Sequence, residues 1–337
     1  MKSPILSVGE LGFPWKTYDP FLFCVYHNDA YPEGNDVQGP NASLAGRELG
    51  MDFDPRNGWR MYHGHQVPGF PAHPHRGFET VTLVRKGFID HSDSLGATAR
   101  FGGGDTQWMT AGRGVVHAEM FPLRQRDTQN PLELFQIWLN LPRADKMVDP
   151  YFTMLWDTQI PMHRVVDEAG RVSQLRIVAG EWGSSKGPQP PPNSWASRPD
   201  SDLAIWTLKL DPHARLTLPP AKAGTNRTLY FFSGTQLSIA GKVFTSHAAV
   251  LVAPDVSLEL ENGPATSELL VLQGRPIGEP VVQHGPFVMN TPDEIREAFA
   301  DYQRTGFGGW PWPSTAPVHP REQDRFAVHA DGRREEP

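Results

Sequence analysis

A chain of 337 residues exceeds the roughly 250–300 at which a single core stops growing, so two domains are expected. With 39% hydrophobic and 20% charged residues it is not a disordered chain, and a formal net charge of -7 argues against the basic stripe of a nucleic-acid binder. The single cysteine, Cys24, excludes an internal disulfide and a thiolate zinc cluster, which leaves His, carboxylate or water as metal ligands. Cys24 itself reads as a buried spare thiol. The first eleven residues lack the long apolar core and cleavage site of a signal peptide, and no stretch approaches the roughly 18 apolar residues of a membrane helix. A cytoplasmic location is expected, or a nuclear one in a eukaryote, with no membrane partner and no direct contact with nucleic acid.

In chain order, Gly and Pro (32 and 33 residues) break the sequence into short segments rich in Val, Thr, Phe, Trp and Leu. Residues 20–141 form a first strand-rich block that includes residues 78–84 and 134–139. Residues 142–161 read as a bridge. Residues 165–274 form a second block, with a strand at 203–210 and a proline-rich loop at 187–194. Thr291-Pro292-Asp293-Glu294 caps an amphipathic helix predicted over residues 292–303, with Gly306 as its stop. The tail opens on Phe307-Gly308-Gly309-Trp310-Pro311-Trp312, a run expected to dock on the body, and ends on Arg333-Arg334-Glu335-Glu336, expected to be solvated. The fold class is therefore all-β, as sandwiches or barrels. The predicted division is an N-terminal domain at 1–160, a C-terminal domain with its helix at 161–303 and a tail at 304–337.

Two segments carry candidate chemistry. In His73-Pro74-His75, residues i and i+2 of an extended strand face the same way, so both imidazoles converge on one point. Pro74 removes a backbone donor, which places this strand at a sheet edge or just after a loop. His117-Ala118-Glu119 repeats the spacing. Paired strands would bring three imidazoles and one carboxylate together, a set suited to Fe, Ni, Cu or Mn and less well to Zn. Two other groups compete. His63-Gly64-His65 has the same spacing but lies in a turn-rich stretch. Glu79 has the right strand parity to replace Glu119 as the carboxylate ligand.

The stretches Gly69–Thr82 and Asp105–Met120 resemble the pirin family. So do His91-Ser92-Asp93-Ser94-Leu95-Gly96, Gln136–Pro142, Lys146-Met147-Val148 and Glu279–Thr291. The resemblance implies a bicupin, two antiparallel β-barrels with the C-terminal helix returning toward the N-terminal one. It also implies one Fe(II) in that barrel, held by His73, His75, His117 and Glu119, and no metal in the second barrel, where His213, His247 and His284 stand apart. It departs from the family in the polar insertion that runs to Trp59 and in the long tail.

The activity implied is flavonol dioxygenation, the opening of quercetin by O2, with Glu119 both ligand and catalytic base. Phe78, Trp108 and Met109 are candidate walls for a small aromatic substrate. Arg76 and Arg113 are candidates either for holding a carboxylate such as Asp105 or for plain structural ion pairs. The competing expectation is a redox-sensitive iron-binding transcriptional co-regulator or enzyme modulator, which would act through a protein partner.

Overall fold

In a computed structural model, which describes residues 3–337, the chain is built mainly of strands with one α-helix, in two compact units. These are not cut at a single point in the sequence. The histidine-bearing unit takes Tyr26–Gln136, Leu141–Asp157 and Glu279–Pro337. The companion unit takes the chain up to Val25, Ile137–Asn140 and Thr158–Gly278. Domain limits read along the chain cannot express this interleaving, because compactness is a property of contacts and not of chain order.

The histidine-bearing unit is built on two large antiparallel sheets, with a two-stranded one of Val282–His284 and Phe287–Met289 besides. The five-stranded one runs in the order Tyr151–Leu155, Thr106–Thr110, Phe78–Lys86, Asn130–Asn140 and Phe21–Tyr31. The six-stranded one runs Arg334–Glu335, Phe326–Val328, Thr98–Gly102, Phe88–Asp93, Val115–Met120 and Gly69–His75. Val84, Ile89, Phe101, Met109, Leu134 and Trp156 are among the side chains of the core of this unit. In the companion unit a seven-stranded and a four-stranded sheet enclose a core of Leu, Ile, Val, Phe and Trp side chains. Cys24 is fully buried, and burial pushes its thiol far up. No described helix is long and apolar enough to cross a membrane.

The helix spans Pro292–Thr305, two residues beyond its predicted end. Thr291 and Glu294 form a reciprocal capping box, Pro292 opens the first turn, and Gly306 closes the helix in the left-handed region at φ 54°. Ile295 and Ala298 pack with Phe287, Met289, Phe307 and Val116, so the helix lies on the Phe287–Met289 strand and shares one apolar cluster with the strand that carries His117.

The end of the tail is solvated as expected, with Arg333, Arg334 and Glu336 exposed and Glu335 half-buried, but its backbone is ordered: Arg334–Glu335 is a short strand paired with Phe326–Val328, which pairs in turn with Thr98–Gly102. Arg100 anchors it. Its buried guanidinium grips both oxygens of Asp90 (2.6 and 2.7 Å) and donates to the carbonyls of Pro320 (2.7 Å), Gln323 (2.9 Å) and His319 (3.1 Å).

Lys146 is buried and donates from Nζ to the carbonyls of Gly77 (2.8 Å) and Val288 (3.2 Å). Burial pushes its pKa down to about 8. In the unfolded chain a lysine titrates near 10.4, so between about 8 and that value the unfolded state binds more protons and stability rises with pH. The penalty is fully in place below the folded value. Urea unfolding from pH 7.5 to 10 should show this upward slope in the parent and lack it in Lys146→Met; equal slopes would disprove the assignment.

Candidate metal centre

Backbone pairing brings the candidate ligands together. Gly69–His75 is the edge strand of its sheet, where Pro71 and Pro74 cost no ladder hydrogen bond on the open side. Its inner neighbour Val115–Met120 pairs His73 with His117 and, across a bulge, Phe70 with Glu119. On the far side Phe88–Asp93 pairs Asp93 with His117 and His91 with Glu119. His117 and Glu119 therefore sit on the strand between two neighbours, and every local pairing supports their placement.

The ligand-capable nitrogens of His73, His75 and His117 lie within 4.8 Å of one another. The ring centroids of His73 and His117 are 4.5 Å apart, and those of His75 and His117 are 4.9 Å apart. His73 is half-buried, whereas His75 and His117 are buried. Nδ1 of His73 faces the Pro71 carbonyl at 2.8 Å, and Nδ1 of His75 faces that of Pro286 at a longer 3.4 Å. A carbonyl only accepts, so these nitrogens carry the proton and the Nε2 lone pairs remain available. Desolvation pushes His73 down to about 4 and holds His75 and His117 well below the usual range, so all three imidazoles are neutral at physiological pH. Both ring nitrogens of His117 are buried and have no hydrogen-bond partner. A buried polar atom without a partner is costly, and a cation among three neutral imidazoles would remove that cost for the nitrogen that carries the lone pair.

Glu119 is the neighbour of this cluster and not a member of it. Its Oε2 is 3.9 Å from His117 Nε2. Gln136 Nε2 donates to Oε2 at 2.8 Å, and the single Thr82 hydroxyl proton is shared between Glu119 Oε1 (3.0 Å) and Gln136 Oε1 (2.7 Å). Burial raises the Glu119 carboxyl above its usual range, against the lowering effects of His91, Thr82 and Gln136. Glu79, the competing carboxylate, is fully buried and accepts from Thr110 Oγ1 at 2.6 Å. His63 and His65 lie in a loop; His63 Nδ1 donates to the Gly50 carbonyl (2.6 Å) and His65 is exposed.

The remaining candidates separate clearly. Arg76 pairs with Asp301 (3.0 Å), and Arg113 with Asp149 (3.0 Å) at the exposed surface. Asp105 is held by Arg325 (2.9 Å), so neither of the first two arginines serves it. Met109 is core. Phe78 sets its ring edge-on to His75 at 5.0 Å. Gly77 has φ +85°, and an added Cβ would overlap the Val288 carbonyl, so its role is to let the chain leave the His73–His75 strand.

His91 is a site residue that sequence reasoning passed over. It is buried, its Nε2 lies 3.2 Å from Asp93 Oδ2, and its ring is 5.6 Å from that of His117. Its spacing to Asp93 was the available signal, since i, i+2 puts both on the His117 side of the strand.

A carboxylate held by two donors keeps its orientation only while both remain. Gln136→Leu should lower metal affinity about tenfold with little change in fold, as outer partners of metal sites do. Competition with a chromogenic chelator measures it, and unchanged affinity would remove Gln136 from the site.

Fold and histidine cluster together define a bicupin of the metal-binding kind. Residues 14–139 match the pirin family model and residues 205–308 match that of the pirin C-terminal cupin domain. A Pseudomonas aeruginosa relative, named "Putative quercetin 2,3-dioxygenase", is 40% identical over 245 residues, 72% of this chain and 80% of that protein. The Homo sapiens protein named Pirin is 36% identical over 269 residues, 78% of this chain and 86% of its own. The crystal structure of a quercetin 2,3-dioxygenase from Acinetobacter baumannii superposes with a TM-score of 0.71 at 27% identity, covering 92% of this chain and 99% of that one. The chain belongs to the pirin family.

Proposed function

We propose that the protein is an iron-dependent dioxygenase that opens a flavonol such as quercetin with O2, using one Fe(II) held by His73, His75, His117 and Glu119. The observation that carries this reading is the convergence of three neutral imidazoles on one point, with the Glu119 carboxylate 3.9 Å from the innermost. When bound, the metal supplies Lewis acidity toward the flavonol hydroxyl and a place for O2. Everything else falls to the chain. Glu119, a carboxylate when it holds the metal, takes the hydroxyl proton; burial, which raises its carboxyl above the usual range, favours that transfer, and Thr82 and Gln136 keep the carboxylate aimed. Phe78 beside His75 and Phe70 beside His73 offer aromatic faces to a flat ring. Buried surroundings keep bulk water from the reacting atoms. The names of the Pseudomonas and Acinetobacter relatives favour this substrate class.

The test is anaerobic loading with Fe(II), then aerobic addition of quercetin, following its visible absorbance and carbon monoxide release. Turnover that depends on iron and is lost in Glu119→Ala is the expected result. A fully iron-loaded chain that leaves quercetin intact would overturn the proposal and favour the co-regulator.

A further inference from the structure

The companion unit has a cavity of its own. Its core is lined by residues of one strand parity: Leu229 and Phe231, Leu269 and Val271, Trp206 and Leu208. The same parity, carried two residues further, reaches Arg227 and Gln273, which are direct cross-strand partners. Gln273 also pairs with Ala204, so the three positions form one inward row at the end of the sheet. A guanidinium thus stands where the pattern of the core calls for an aliphatic side chain.

Arg227 is 1% exposed. Its Nε donates to Gln273 Oε1 at 2.7 Å and its Nη1 to the Pro219 carbonyl at 2.7 Å. Gln273 is fixed in turn by its Nε2, which donates to the Asp202 carbonyl at 2.9 Å. Among the described residues no carboxylate forms an ion pair with Arg227. Asp202 Oδ2 is taken by the Lys222 backbone N–H and by Thr225 Oγ1, both at 2.9 Å. Burial pushes Arg227 down to about 10, which leaves it charged at neutral pH. Trp206 adds a buried indole N–H that has no partner.

These groups line a cavity of about 440 Å³, with Leu203, Pro188 and Pro190 among its walls. That volume suits a small organic molecule. Asp202 is near enough to act on the Arg227 charge but makes no ion pair with it, and a buried cation so partly compensated is relieved further by an anion from solution. The other cations at the cavity are held elsewhere: Lys186 lies 3.4 Å from Glu181, Lys222 Nζ donates to the Pro199 carbonyl at 3.3 Å, and the Arg198 guanidinium lies over the Trp195 ring at 5.3 Å. The one buried guanidinium among these cations calls for a small anion, and its planar edge fits a carboxylate.

We propose that this cavity is a second ligand site, binding a small organic monocarboxylate with its carboxylate on Arg227 and its apolar body against Trp206 and the proline walls. The site is independent of the metal and of the reaction proposed above.

Calorimetric titration of the full chain with benzoate tests this, with benzamide as a neutral probe of the same shape. The titration is run on iron-loaded and on chelator-treated protein, so that any benzoate bound at the metal is told apart. Expected is benzoate binding that survives chelation, weakens about tenfold or more in Arg227→Gln and is at least that much weaker for benzamide. Ala221→Trp narrows the cavity from a half-buried rim position without touching the guanidinium, and it should also abolish binding, which keeps the test decisive if Arg227→Gln does not fold. The proposal is overturned by benzoate binding that vanishes with the metal or persists in the variants. Equal affinity for benzamide, tighter binding of inorganic phosphate, or no binding at millimolar benzoate would overturn it too.

Discussion

Replacing His117 with alanine should strip the metal from the chain and leave the fold in place. His117 is the most deeply buried member of the cluster, 4.5 and 4.9 Å from the rings of the other two histidines, and its ring nitrogens have no hydrogen-bond partner. Removing the imidazole therefore breaks no hydrogen bond within the protein. The strand that carries it stays paired on both sides, with Gly69–His75 and Phe88–Asp93. Loss of an outer partner costs a metal site about 10–100-fold, so loss of one of three imidazole ligands should reach at least the top of that range. His75→Ala should behave alike. Metal content after dialysis against a mild chelator, with far-ultraviolet circular dichroism as the fold control, reads both effects. Full metal content in both variants would sink the ligand assignment.

The largest loss of stability should come from Arg100→Met. Arg100 and Asp90 are both fully buried, and the pair is bidentate. Breaking one side of a buried pair leaves an uncompensated charge and costs about 3–5 kcal/mol. Here the loss spreads further, because the same guanidinium satisfies the carbonyls of His319, Pro320 and Gln323. The variant should unfold in less urea and be cut by protease between residues 309 and 325 before the body is. A double variant with Asp90→Asn should lose less than the sum of the single losses, since the two residues act as one unit. A loss below about 1 kcal/mol would show that the tail is held elsewhere.

Much of the histidine site was legible in the sequence because strand geometry is so simple. The i, i+2 spacing in His73-Pro74-His75 and His117-Ala118-Glu119 fixes a shared face, and Pro74 marks an edge strand, which is where Gly69–His75 lies. The helix was legible for a related reason, since Thr291, Pro292 and Glu294 act on their own first turn. Residues whose role depends on a distant partner were harder. His91 reads as part of a hairpin until register sets it opposite Glu119. Arg333-Arg334-Glu335-Glu336 is solvated as its charges say, but charges say nothing of the backbone pairing that Phe326–Val328 supplies. Arg227 sits in an ordinary strand sequence, and only the inward parity of Leu229 and Phe231 shows that it is buried.

The tail strands have a consequence for how the molecule keeps to itself. Without Phe326–Val328, the strand Thr98–Gly102 would end its sheet with a row of open amide and carbonyl groups, a template on which a second chain could build. Proteins commonly guard such a margin with charge, and here the added strands end on Arg334 and Glu335, which face solvent in part. A chain shortened after the helix would bare that margin as well as lose the contacts of Arg100, so self-association would add to its loss of stability.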